Sequence, residues 1–124
     1  MTVSVLSESP LKRILSDLAK IDGVKAVAVV SHDGFPIESV ISSEGVDAEA
    51  LAALVVAIHG AAQKFGEGFA FGSSEIVTAE FSNGMLFLQD VDNALLAVIT
   101  DKTAVIGRVR LEMKRQRERI KASI

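Results

Sequence analysis

The chain has 124 residues, 49% of them hydrophobic, which is enough apolar side chain for one compact domain without a linker. It contains no cysteine, which excludes disulfides, thiolate nucleophiles and cysteine-based metal sites, and no apolar run approaches the ~18 to 20 residues of a membrane span. The net charge of −3 hides an asymmetry: residues 104–124 hold seven Lys or Arg against two Glu, net +5, whereas residues 1–103 hold six against fourteen Asp or Glu, net −8. The opening MTVSVLSESP is too short and too polar for a signal peptide, so a soluble, cytoplasmic protein is the expectation.

Ser9-Pro10 reads as an N-cap followed by proline at the first helical position. Leu11, Ile14, Leu15, Leu18 and Ile21 then recur at helical spacing until Gly23. Val24 to Val30 is β-branched and apolar on both faces, which predicts a central strand covered on both sides. His32-Asp33-Gly34 is a turn signal, and Phe35 to Ile41 returns as a second strand, with Pro36 tolerable on an edge. Ser42 to Val46 is a short polar loop.

The stretch from Asp47 to Gly66 predicts one long helix, capped by Asp47 and stopped by Gly66 in a left-handed conformation. Leu51, Leu54, Val55, Ile58, Ala62 and Phe65 form its expected core stripe. The remaining surface is small and apolar, with Ala50, Ala53, Ala57, Gly60 and Ala61 on one flank and Ala52, Val56, His59 and Gln63 on the other. A helix apolar almost all round invites cover from a second chain. A glycine-punctuated connection leads to Glu75 to Phe81, a hairpin turn at Ser82-Asn83-Gly84, a strand from Met85 to Val91, a turn at Asp92-Asn93, and a strand from Ala94 to Thr100. Thr103 is the expected cap of the last helix, in which Ile106, Val109, Met113 and Ile120 make a narrow apolar stripe among basic residues.

The order is αββαβββα. It predicts a single α/β domain of the α+β type, with a five-stranded, mainly antiparallel sheet, the long helix on one face and the first and last helices on the other.

This order, the opening Leu11…Ile21-Asp22-Gly23-Val24, the run Val27 to Ile37 through Asp33-Gly34, and the alanine-rich middle helix resemble the roadblock/dynein light chain family. The resemblance spans about residues 10–121 and is to the stand-alone prokaryotic type. It implies a roadblock/profilin-like fold and a dimer, here a homodimer, in which the third strands pair across a two-fold axis and the middle helices lie side by side. On this sequence the implied dimer interface is Ala50, Ala57 and Ala61 with Ile76, Thr78 and Glu80. Small residues let two backbones approach, and strand pairing satisfies an open sheet edge. Members of this type partner small Ras-like GTPases, and relatives scaffold dynein and lysosomal signalling. The resemblance therefore implies a non-enzymatic regulator or scaffold of a small Ras-like GTPase, docked on the paired helices through Glu49, Ala53, Val56, His59, Gly60, Gln63 and Lys64. Two other readings stay open: a structural adaptor in a larger complex, and a sensory domain enclosing a small ligand.

Chemistry-bearing residues support no catalytic site. His32 sits in a turn beside Asp33 with no positioned nucleophile, and His59 reads as a half-buried interface residue. Gly66, Gly68 and Gly72 follow a helix and lead into a strand, the reverse of a phosphate-binding loop. Two histidines and no cysteine argue against zinc. No cofactor is expected. The basic last helix is read as a solvated face pairing with the acidic body, not as a nucleic-acid site, because Glu112 and Glu118 interrupt it and tyrosine and tryptophan are lacking.

Overall fold

A computed structural model describes residues 9–42 and 45–124. The opening octapeptide and part of the polar loop at 42–46 lie outside the described residues. The elements are α1 (Pro10–Ala19), β1 (Val24–Val30), β2 (Pro36–Ile41), α2 (Ala48–Gly68), β3 (Ile76–Phe81), β4 (Gly84–Asp90), β5 (Leu95–Thr100) and α3 (Ile106–Ala122). The strands form one sheet in the order β2-β1-β5-β4-β3, with every neighbouring pair antiparallel. Pro36 occupies the first position of β2, an outer strand, where its missing donor is harmless.

Side-chain alternation divides the sheet between two cores. Val27, Val29, Phe87, Leu96 and Val98 point to one face, where Leu11, Ile14, Leu15 and Leu18 of α1 and Val109, Met113 and Ile120 of α3 cover them. Ala28, Val30, Leu88, Leu95 and Ala97 point to the other face, beneath Ala52 and Val55 of α2. The double-sided burial of β1 and β5 thus follows from their place at the centre of a three-layer arrangement.

Three local expectations are corrected. The core stripe of α2 is rotated. Leu54 and Phe65 are 62% and 57% exposed, while Ala52, Val55, His59 and Gly66 are the buried positions. The sheet beneath offers Ala28 and Ala97, and small residues on both sides bring helix and sheet close enough to leave the bulkier side chains outside. Helix α2 also passes through Gly66 and ends at Gly68. The left-handed residue beyond it is Ala70, at φ 58°. Finally, α3 starts at Ile106 after Val105, without a side-chain cap. Thr103 belongs to the preceding turn, donating its N–H and hydroxyl to the Asp101 carboxylate at 2.8 and 2.6 Å.

The first helix behaves as its sequence signals require. Ser9 Oγ accepts the Lys12 N–H at 3.0 Å, and Pro10 opens the helix. Gly23, at φ 90°, turns the chain into β1 beneath Ala104.

Candidate functional site

Helix α2 lies across β2, β1 and β5 and covers Leu88 of β4, so the outer part of that sheet face, with Val77 of β3 and Leu86 of β4 half-buried, is left beside it. The flank of α2 carrying Leu51, Leu54 and Ile58 and the sheet end carrying Phe81, Leu86 and Ile99 enclose an open, mainly apolar groove of about 800 Å³. Strand β3 is the last strand of the sheet, paired only to β4. A two-residue turn joins Phe81 to Gly84, and such a turn closes on a hydrogen-bonded pair. By alternation along the ladder, the N–H and C=O groups of Ile76, Thr78 and Glu80 face the open edge.

The crest of α2, opposite its buried side, carries Ala50, Leu54, Ala57, Ala61 and Phe65, all exposed. Glu49, Ala53, Gly60 and Lys64 are exposed on the flank away from the groove. The other expected platform residues are turned toward the sheet. Val56 is half-buried, and Gln63 is half-buried with its side-chain oxygen accepting the Ser74 N–H at 2.8 Å. His59 is 7% exposed, and its Nε2 lies 3.5 Å from Asp90 Oδ2 without a hydrogen bond. These three therefore offer less surface to a partner than Glu49, Ala53, Gly60 and Lys64. Their inward direction follows from the same helix rotation that exposes Leu54 and Phe65.

The sequence reading also missed the aromatic distribution. Five of the six phenylalanines are exposed and only Phe87 is buried. Phe65 and Phe69 stack with centroids 4.5 Å apart, and Phe71 sits 6.0 Å from each. Phe65 and Phe69 are four apart, a spacing that places both on one helix face, and this was the legible signal.

Residues 11–100 match the Roadblock/LC7 domain. The chain belongs to the Roadblock/LC7 family. It is 35% identical over 112 residues to protein MJ1340 of Methanocaldococcus jannaschii, covering 90% of this chain and 97% of that protein. Its fold matches MglB of Myxococcus xanthus with a TM-score of 0.85, 21% identity and coverage of 94% and 95% of the two chains. The gliding protein MglB of Thermus thermophilus gives 0.81 and 20%, with coverage of 91% and 87%. This roadblock chain is thus a protein–protein interaction domain, and none of its described helices is long and apolar enough to cross a membrane.

On the opposite face, the basic helix of this roadblock domain is tied to the sheet. Asp92 accepts from Lys121 Nζ and Arg117 at 2.8 Å each, and Arg117 Nε donates to the Asp90 carbonyl at 3.1 Å. Those bonds, Lys121 first and Arg117 second, hold the Asp92 carboxyl below its ordinary value of 3.8. Because the folded value is the lower one, this stabilisation is complete above the ordinary value and is lost as pH falls through the depressed one. Urea midpoints between pH 6 and pH 2.5 are expected to fall less on acidification for Asp92→Asn than for wild type. Asparagine tolerates the φ of 76° found there, so backbone strain does not confuse the comparison. Identical acid slopes would remove Asp92 as a contributor.

Proposed function

We propose that this roadblock domain is a non-enzymatic homodimer that regulates or scaffolds a small Ras-like GTPase through a platform of paired α2 helices. The observation that carries this reading is the apolar, exposed outer surface of α2 beside the unpaired edge of β3. A bare edge and a broad apolar helix surface are both associative features, and one neighbour can cover both. Pairing of β3 with its counterpart would give a continuous ten-stranded sheet and set the two α2 helices side by side. The helix surface beside that seam, with Ala53, Gly60 and Lys64, then forms a flat shelf onto which a switch region can be laid. Family membership supplies the partner class: stand-alone prokaryotic roadblock proteins of this type partner small Ras-like GTPases. The platform acts by preferring one switch conformation of the GTPase and so shifting its population.

The test is capture from lysate loaded with GDP or with a non-hydrolysable GTP analogue, comparing wild type with Ala53→Lys. A small GTPase retained by the wild-type dimer in one nucleotide state, and reduced at least tenfold by Ala53→Lys that still folds and dimerises, is the expected result. Equal retention in both states would make the protein a tether. No GTPase in either state would overturn the reading in favour of an adaptor for other partners.

A further inference from the structure

The exposed phenylalanines and the apolar groove lie at opposite ends of one flank of α2. Leu51, Leu54 and Ile58 line the groove toward the N-terminal end, and Phe65 and Phe69 stand toward the C-terminal end, stacked with Phe71. Leu54 and Phe65 are eleven positions apart along the helix, about 16 Å at the α-helical rise. The direction of α2 relative to β3 is fixed by two contacts. Leu54 shares the groove with Phe81, the last residue of β3, whereas Gln63 accepts the N–H of Ser74, just before β3 begins. Helix and strand therefore run in opposite senses, and any two-fold axis that pairs β3 with itself reverses both.

We infer that the phenylalanine cluster of each protomer fills the groove of the other, so that the dimer is an interlock of two reciprocal aromatic plugs. This rests on the homodimer proposed above and specifies what closes it. The symmetry is decisive: plug and socket sit on the same flank on either side of the helix centre, so one rotation inserts both. Area supports the same occupant. The three rings are 57%, 62% and 73% exposed, which leaves roughly 100 Å² or more on each to bury. Six rings and the groove walls that receive them come to about 1,200 Å², within the range of a specific interface before the strand edges are added.

Charge at the strand edge agrees. Arg110 Nη1 lies 3.5 Å from Thr78 Oγ1 at the middle of β3. Glu80, on the same sheet face, is exposed and has no ion pair among the described residues. A two-fold centred on Thr78 places Ile76 opposite the partner's Glu80, diagonally beside Arg110, and the pairing is repeated on the other side. A second copy thus supplies both the apolar plug and the opposite charge.

The absence of cysteine makes the test direct. In the full chain, the double variant Leu54→Cys with Phe65→Cys cannot bridge within one helix across ~16 Å, so any disulfide must join two copies. The inference expects covalent dimer from the double variant under mild oxidation and little from either single variant. Thr78→Cys reports the strand pairing separately. Covalent dimer from Thr78→Cys with none from the double variant would overturn the interlock and leave the dimer standing. A monomeric mass with no cross-link at either place would remove both. Phe65→Ser with Phe69→Ser reads the same contact without cysteine: the dimer dissociation constant from sedimentation should rise at least tenfold, and an unchanged constant would overturn the interlock.

Discussion

Phe87→Ala is expected to lower the unfolding free energy by about 3–5 kcal/mol, a large share of the roughly 5–15 kcal/mol that holds a small domain together. Phe87 is fully buried, paired with Thr78 on one side and Val98 on the other, and lies in the core formed by the sheet with α1 and α3. Removing its ring loses transfer free energy and leaves a cavity that the flanking strands cannot close without breaking their register. Urea denaturation followed by circular dichroism gives the size directly. Phe35→Ala is the internal control, since Phe35 is 67% exposed in the turn before β2 and its loss should stay within about 0.5 kcal/mol. Equal losses at the two positions would mean that the α1–α3 core does not carry the fold.

The contrast between these two phenylalanines also marks what the sequence can reveal. Period and punctuation are local properties, so the helix starts at Ser9 and Asp47, the Asp33-Gly34 turn and the Asn83-Gly84 hairpin were legible, and with them the element order and the layered sheet. The double-sided burial of Ala26 to Val30 was legible because no polar residue interrupts that run. The rotation of α2 was not. Nearly every side of that helix is apolar, so periodicity alone does not distinguish the face with Leu54 from the face with Ala52; the choice depends on Ala28 and Ala97, which come from other strands. For the same reason the expected platform mixed outward residues, such as Ala53 and Lys64, with the inward Val56 and His59. The aromatic cluster depends on Phe71, brought back to the helix only by the fold of the connection after Ala70.

Gly66 offers the other large effect, and it distinguishes two reasons for a glycine. A left-handed helix stop favours glycine, tolerates asparagine next and strains alanine. Gly66 is instead inside the helix, and a Cβ built on it would stand 2.5 Å from the carbonyl oxygen of Gly72. The Phe71 N–H donates to the Gly66 carbonyl at 2.8 Å, so the returning loop is held against the helix at this point. Alanine would add about 1 kcal/mol of helix propensity, but the loop must move to admit the methyl group, and we expect a net loss of about 1–3 kcal/mol for Gly66→Ala. Asparagine is larger and a poorer helix former, so Gly66→Asn should be worse still. Urea midpoints in the order wild type, alanine, asparagine are therefore expected, and asparagine more stable than alanine would return Gly66 to a left-handed stop. The same displacement carries Phe71 away from Phe65 and Phe69. If the three rings act together as a plug, Gly66→Ala should weaken self-association beyond its effect on the fold, even though residue 66 itself is buried.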